Sequence, residues 1–222
     1  MFSRIGKTAW ASSDASAIDA QTGYAGVGFY AAGGITAREA LGQILSAYAA
    51  DWWQDEAGVL RIARLVDPDA VHDDSLSFDL GWGEFAADLI VLPDLAPNLS
   101  RRMAYQPNGI ALNDGDLITD LVQLPPERRQ QLTAEYRGQA YSGGRLAERY
   151  AHADSAAPVV SRFDRSEDAQ AEIERIVALY EVPRNFYAVR LSGRPDLRLR
   201  PGQVGRITYP RYGLEHGRKV LV

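Results

Sequence analysis

The sequence predicts an α+β chain of two modules, each a helix packed on short antiparallel strands, with the second module forming a small β-barrel. Three observations predict it. Two stretches, beginning near Ile35 and Ser166, carry apolar residues at three- and four-residue spacing, the mark of an amphipathic helix. Each is followed by short β-forming runs broken by turns that contain glycine or proline. The 222 residues, 46% of them hydrophobic, are enough to bury one large core or two small ones. The expected division is a flexible or partner-ordered segment over residues 1–34, a helix plus β-hairpin module over 35–94 and an α+β barrel module over 95–222.

Residues 11–34 are rich in Ser, Ala and Gly and hold few large apolar side chains, so this segment needs a neighbour to offset its ordering entropy. Thr36 and Glu39 have capping-box spacing, with Ile35 and Ala40 placed for a weak staple. The helix they open carries a stripe of Ala40, Leu41, Ile44, Leu45 and Tyr48 and ends near Ala50. Trp52-Trp53-Gln54-Asp55 and Val59-Leu60-Arg61-Ile62-Ala63-Arg64-Leu65, separated by Glu56-Ala57-Gly58, read as a hairpin. From Asp67 to Asp94 the chain is acidic and turn-rich, with a Gly81-Trp82-Gly83 corner, and short or irregular strands are expected there.

Beyond residue 95 a strand is expected over Arg101–Gln106, a turn at Pro107-Asn108-Gly109 and a further run over Leu117–Leu124, which Pro125-Pro126 stops. Glu127–Arg137 has helix-forming composition with Pro126 in the first turn, and Gly143-Gly144 ends that segment or separates it from another short helix. The helix from Ser166 lines one face with Ile173, Ile176, Val177 and Tyr180 and places Glu167, Asp168, Glu172 and Glu174 elsewhere. Pro183 stops it. Phe186–Leu191 alternates like a strand, Arg194-Pro195-Asp196 turns the chain, and Leu197–Pro210 reads as two strands across Pro201-Gly202. Both halves offer a helix followed by a β unit, without a residue-by-residue repeat.

Composition removes several function classes. A net charge of -5 argues against a protein that coats nucleic acid by neutralising phosphates, and no specific nucleic-acid partner is expected. No window approaches the roughly 20 apolar residues of a membrane-spanning helix, and Met1-Phe2-Ser3-Arg4 does not open the apolar stretch of a signal peptide. Without cysteine there are no disulfides, thiolate nucleophiles, iron–sulfur clusters or cysteine-held zinc.

The motifs that suggest chemistry are weak. Gly26-Val27-Gly28-Phe29-Tyr30-Ala31 matches a dinucleotide fingerprint in letters, but no apolar strand precedes it and no helix opens on it. Asp67, Asp69, His72, Asp73 and Asp74 offer oxygen ligands for a hard cation, yet the spacing fits no known loop and a solvated acidic turn is the simpler reading. His72, His152 and His216 stand in no nucleophile motif, and Tyr141-Ser142-Gly143-Gly144 lacks the glycine two residues before the serine. No catalytic, cofactor or metal residue is expected.

Two surface features remain. Trp10, Trp52, Trp53 and Trp82 suit either core and interface packing or stacking on sugars. Arg190, Arg194, Arg198, Arg200, Arg206 and Arg211 cluster in the last β region, and alternation puts Arg198 and Arg200 opposite Leu197 and Leu199. The arginines suit a solvated strand face, pairing with acidic patches on a neighbouring subunit, or the lining of a DNA channel. Trp52, Trp53, Arg198, Arg200 and Arg206 are the candidate subunit interface.

Three stretches resemble the large tail proteins of bacteriophages, whose architecture is similar to baseplate and tail-tip hubs. They are Thr36–Leu41 continuing through Trp52–Ile62, Asp168–Glu172 continuing through Tyr180–Tyr187, and Leu199–Leu214, which resembles the family's barrel strand pair followed by an aromatic-Gly corner. These are fold motifs and not catalytic ones. The resemblance implies a hub-type second barrel and a structural role in the virion, at the tail tip, assembled in the bacterial cytoplasm. It implies closure of the tail tube and a link to fibres or spike, with tube, distal tail, fibre or spike proteins as partners. A homo-oligomer, by preference a trimer, is expected, with no cofactor and no membrane in the assembled state.

Family members are usually much longer. This sequence stops at Lys219-Val220-Leu221-Val222, where a further strand is expected, so the chain is read as a fragment or as a minimal hub that takes a strand from a neighbour. The alternative is a carbohydrate- or receptor-binding tail module with its tryptophans in a groove. A tail-borne cell-wall hydrolase needs a carboxylate pair in a cleft, and no spacing picks one out.

Overall fold

The computed structural model describes residues 10–29, 34–92, 100–108, 111–113, 115, 125–143, 159–181, 184–193 and 197–222. The Leu117–Leu124 run, His152, Pro183 and the Arg194-Pro195-Asp196 turn lie outside the described residues. Among the described residues the fold is α+β, with four helices and several small sheets. No helix among them is long and apolar enough to cross a membrane.

Helix α1 (Ser12–Thr22) has almost no apolar stripe and buries only Ile18. Its neighbour is the chain's own hairpin: the Asp14 carboxylate accepts from Arg61 Nη2 at 3.0 Å and from Ile62 N–H at 3.1 Å. Helix α2 (Ala37–Ala47) begins in the expected capping box, in which Glu39 N–H donates to Thr36 Oγ1 at 3.2 Å and Thr36 N–H to Glu39 Oε2 at 2.8 Å. Thr36→Ala is expected to lower stability by about 1 kcal/mol, read as a shifted urea midpoint at constant slope. An unmoved midpoint would show that Leu41 and Leu45 hold the helix start without its cap.

Strands β1 (Ala50–Gln54) and β2 (Leu60–Arg64) form the expected hairpin, in register from Ala50↔Arg64 to Gln54↔Leu60. Asp55 Oδ1 accepts from Ala57 N–H at 3.0 Å and Val59 N–H at 2.9 Å, and Gly58 takes a φ of 77°, so the turn needs an acceptor first and a glycine last. The acidic stretch that follows is broken into 3-10 turns at Pro68–Ala70, Asp73–Ser75 and Trp82–Glu84, with short strands β3 (Asp79–Leu80) and β4 (Ile90–Leu92) between and after them.

The central strand of the next sheet is β5 (Ser100–Pro107), antiparallel to β6 (Tyr136–Gly143) and parallel to β7 (Val159–Val160). Helix α3 (Pro126–Thr133) is shorter than the composition suggests. Asn108 ends it by donating Nδ2–H to the carbonyls of Gln131 and Ala134, while its Oδ1 accepts from Arg137 Nε at 2.9 Å. The residues beyond then pair as β6 instead of continuing the helix to Arg137.

Helix α4 (Ser166–Glu181) packs across β5 and β6. Strand β8 (Phe186–Ala188) pairs with β4, and β9 (Val204–Ile207) lies between antiparallel β10 (Arg218–Leu221) and parallel β3. The last region therefore departs from the sequence reading. Leu197–Arg200 keeps its alternation, leucines inward and arginines outward, but forms no strand, and β9 pairs instead with β10 across the Tyr209–Gly217 corner. The Pro201-Gly202 turn ties back to the chain end, with Gly202 N–H donating to Val222 O at 2.9 Å.

Two cores result. The first gathers Ile18, Leu41, Leu45, Tyr48, Ile62, Met103, Phe163, Ala169, Ile173 and Ile176 around α4 and β5. The second gathers Phe78, Leu80, Leu89, Ile207, Tyr209 and Leu214 around β9. The cores are interleaved along the chain, each drawing residues from both sides of residue 95.

Candidate functional site

The hairpin fixes the two adjacent tryptophans. Trp52 packs against the first core, and Trp53 borders a groove of about 330 Å³ together with Ala63, Pro201, Gly202, Leu221 and Val222. This groove runs along the seam between the hairpin and the chain end. Arg198 reaches the hairpin turn and pairs with Glu56, both side chains being exposed, and a pair so placed adds little stability. Arg200 is exposed, and among the described residues its side chain has no ion pair.

Arg206 belongs to a different cluster. It pairs with Asp73 and, at 3.7 Å, with Asp79, while Lys219 holds Asp73 Oδ1 at 2.8 Å. Hydrogen bonds from Lys219 and Arg206 hold the Asp73 carboxyl below the usual carboxylate range. The structure thus brings Trp52, Trp53 and the Arg198 segment to one seam and places Arg206 against the acidic turn.

That acidic turn does internal work. Asp67 Oδ1 accepts from Asp69 N–H at 3.1 Å and from Arg184 Nη2 at 3.1 Å, and His72 Nδ1 accepts from Asp74 N–H at 3.3 Å. No group of three acidic or histidine side chains suited to a metal ion occurs among the described residues. Val27 forms a bridge to Phe163 and Gly28 N–H donates to Arg162 O at 2.9 Å, so the Gly26-Val27-Gly28 backbone is tied to the segment before α4, while Tyr30 and Ala31 lie outside the described residues. Ser142 lies within β6, opposite Arg101.

The sequence reading missed the strongest electrostatic feature. Glu172 is fully buried on the inner face of α4. Its carboxylate accepts from Arg64 Nη2, from Arg175 Nε at 3.0 Å and Nη2 at 2.6 Å, and from the Tyr24 hydroxyl at 2.9 Å. The guanidiniums spend further donors on backbone oxygens, Arg64 Nε on Tyr48 O at 3.1 Å and Arg175 Nη1 on Leu65 O at 2.7 Å. Burial, and after it the Glu172 charge, raises the Tyr24 phenol, while burial pushes Tyr48 up to about 12.

A signal for Glu172 existed. Ala169, Glu172, Ile173 and Ile176 follow i, i+3, i+4, i+7 spacing, which places the carboxylate inside the apolar stripe. With its acceptors occupied and no solvent access, Glu172 fastens α4 to β2 and to the end of α2.

No protein-family model matches the sequence, and no curated protein matches it either.

Proposed function

We propose that this chain is a structural component of a bacteriophage tail, a hub-type protein at the tail tip that closes the tube and links it to fibres or a spike. The observation that carries an assembly role is the outward face of the β4–β8 ribbon. Val91 and Tyr187 turn inward onto the second core, while Ile90, Leu92 and Phe186 are 61%, 44% and 48% exposed on the other side. A two-stranded sheet is marginal alone, and an uncovered apolar face is the kind of surface a neighbouring subunit covers. The tail-tip placement rests on the resemblance of the hairpin, helix and aromatic-Gly segments to the tail-protein family.

In this reading the strands of the second core are the hub's small barrel, completed on assembly by a neighbour's strand. A closed ring of three chains suits a tube axis, and exposed Arg200 is placed to meet a neighbour's acidic side chains. The expected result is a trimeric mass for the purified chain by light scattering, reduced to that of one chain by Ile90→Asp with Phe186→Asp. Imaging of the intact particle should place the density at the tail tip. Density in the capsid or along the shaft, or a monomer at every concentration even with tail partners added, would overturn the reading.

A further inference from the structure

We infer that the groove beside Trp53 receives the outward face of the β4–β8 ribbon from a second copy of this chain, a head-to-tail contact in which Arg190 of one copy meets Asp51 of the next. The contact rests on the ring proposed above and names the two surfaces that close it. A patch that matches itself pairs two chains about a two-fold axis and stops at a dimer, so a ring of three needs two different surfaces on every chain. Both must be free to be filled at once.

The ribbon supplies the first surface. It continues past its two strands, since Phe85 bridges Leu191 and Ala86 N–H donates to Arg190 O at 2.7 Å. Tyr187, Val189 and Leu191 pack on the second core, so Phe186, Ala188 and Arg190 alternate outward and are exposed. Leu92, opposite Phe186, and Ile90, opposite Ala188, stand on the same outward face. The result is an apolar strip with one cation at its end.

The groove supplies the second surface. Asp51 and Ala63 face each other across the hairpin, and Trp53, two residues on from Asp51, shares their face. The Pro201-Gly202 turn lies against that face, because a Cβ on Gly202 would stand 2.2 Å from the Cβ of Ala63, and Leu221 and Val222 complete the lining. Of the two charged residues in this lining, Arg64 is spent on Glu172. Asp51 is exposed and accepts only from its neighbour, Trp52 N–H, at 2.7 Å. Among the described residues neither Asp51 nor Arg190 has an ion pair through its side chain.

An apolar strip ending in a cation thus complements an apolar groove that holds a carboxylate. The ribbon face and the groove lining share no residue, so each chain can give its ribbon to one neighbour and take the ribbon of the other.

The chain holds no cysteine, so engineered cysteines report this contact without background. Ala188→Cys chains mixed with Asp51→Cys chains should form, on oxidation, a covalent two-chain product that neither variant forms alone. Asp51→Arg and Arg190→Asp should each raise the concentration of half-assembly at least about tenfold, because like charges then face each other, and the double variant with the charges exchanged should return it to within about threefold of the native value. Unchanged far-ultraviolet circular dichroism would show that the variants keep the fold. A product from Ala188→Cys alone means that ribbon meets ribbon in a two-fold dimer and overturns the inference. So does assembly indifferent to Asp51→Arg, or an exchange of charges that restores nothing. If Ile90→Asp with Phe186→Asp still releases single chains in those cases, the ribbon remains an assembly face and only the groove is wrong. A native chain that stays monomeric at every concentration takes down both.

Discussion

Glu172→Ala is expected to destabilise the chain by about 3–5 kcal/mol, because it leaves a buried guanidinium, a second, partly exposed one and a phenol without their shared acceptor. Arg64 suffers most, since its side chain is 5% exposed and cannot reach solvent without opening the hairpin against α4. Arg175 is one quarter exposed and can turn outward in part. For a chain of this size the loss corresponds to a melting temperature lower by roughly 6–20 °C.

Two controls separate this account from simple loss of volume. Glu172→Gln keeps the shape but turns amide hydrogens toward guanidinium donors, so it should recover only part of the loss. The pair Glu172→Leu with Arg64→Met removes both buried charges and should be less damaging than Glu172→Ala alone, as apolar replacement of a buried pair often is. A loss under about 1 kcal/mol for Glu172→Ala would mean that water reaches the cluster and screens it.

The parts of the fold legible in the sequence are those written in local pattern. The capping box of α2, the Asp55–Gly58 turn and the stripe of α4 each depend on residues within one or two turns of each other, and each forms where the spacing places it. Strand β6 was not legible for a physical reason. Gly138 is there because a Cβ would lie 2.3 Å from the Tyr105 ring, and Gln139, Ala140 and Ser142 carry little β-propensity, so the strand is set by its pairing with β5 and not by its own residues.

The pairing of β9 with both β3 and β10 joins residues far apart in the chain, and nothing at Val204–Ile207 names its partners. The hairpin tryptophans and Arg198 come to one seam only through the fold, because the Arg198–Glu56 contact crosses most of the sequence. Glu172 was misplaced because charged residues were assigned to the outer face by type, although its spacing put it within the stripe.

The other large effect is expected at the seam between the two cores. Gly202→Val meets two obstacles that arise independently. Gly202 holds a φ of 82°, which costs a residue with a Cβ about 1–2 kcal/mol, and more for a branched one. A Cβ there would also lie 2.2 Å from the Cβ of Ala63, an atom fixed to the backbone of β2 that cannot swing aside. Overpacking of this kind costs about 1–3 kcal/mol, so the variant is expected to lose about 3 kcal/mol in denaturant unfolding.

The steric part can be isolated with Gly202→Ala in the native background and again beside Ala63→Gly. If the clash matters, the second measurement should show a smaller loss by at least about 1 kcal/mol, the remainder being the cost of the left-handed backbone. Equal losses in both backgrounds would mean that the Pro201-Gly202 turn moves away from β2 without penalty. In that event the two cores would not be held in register at this point, and the groove beside Trp53 would lose its fixed width.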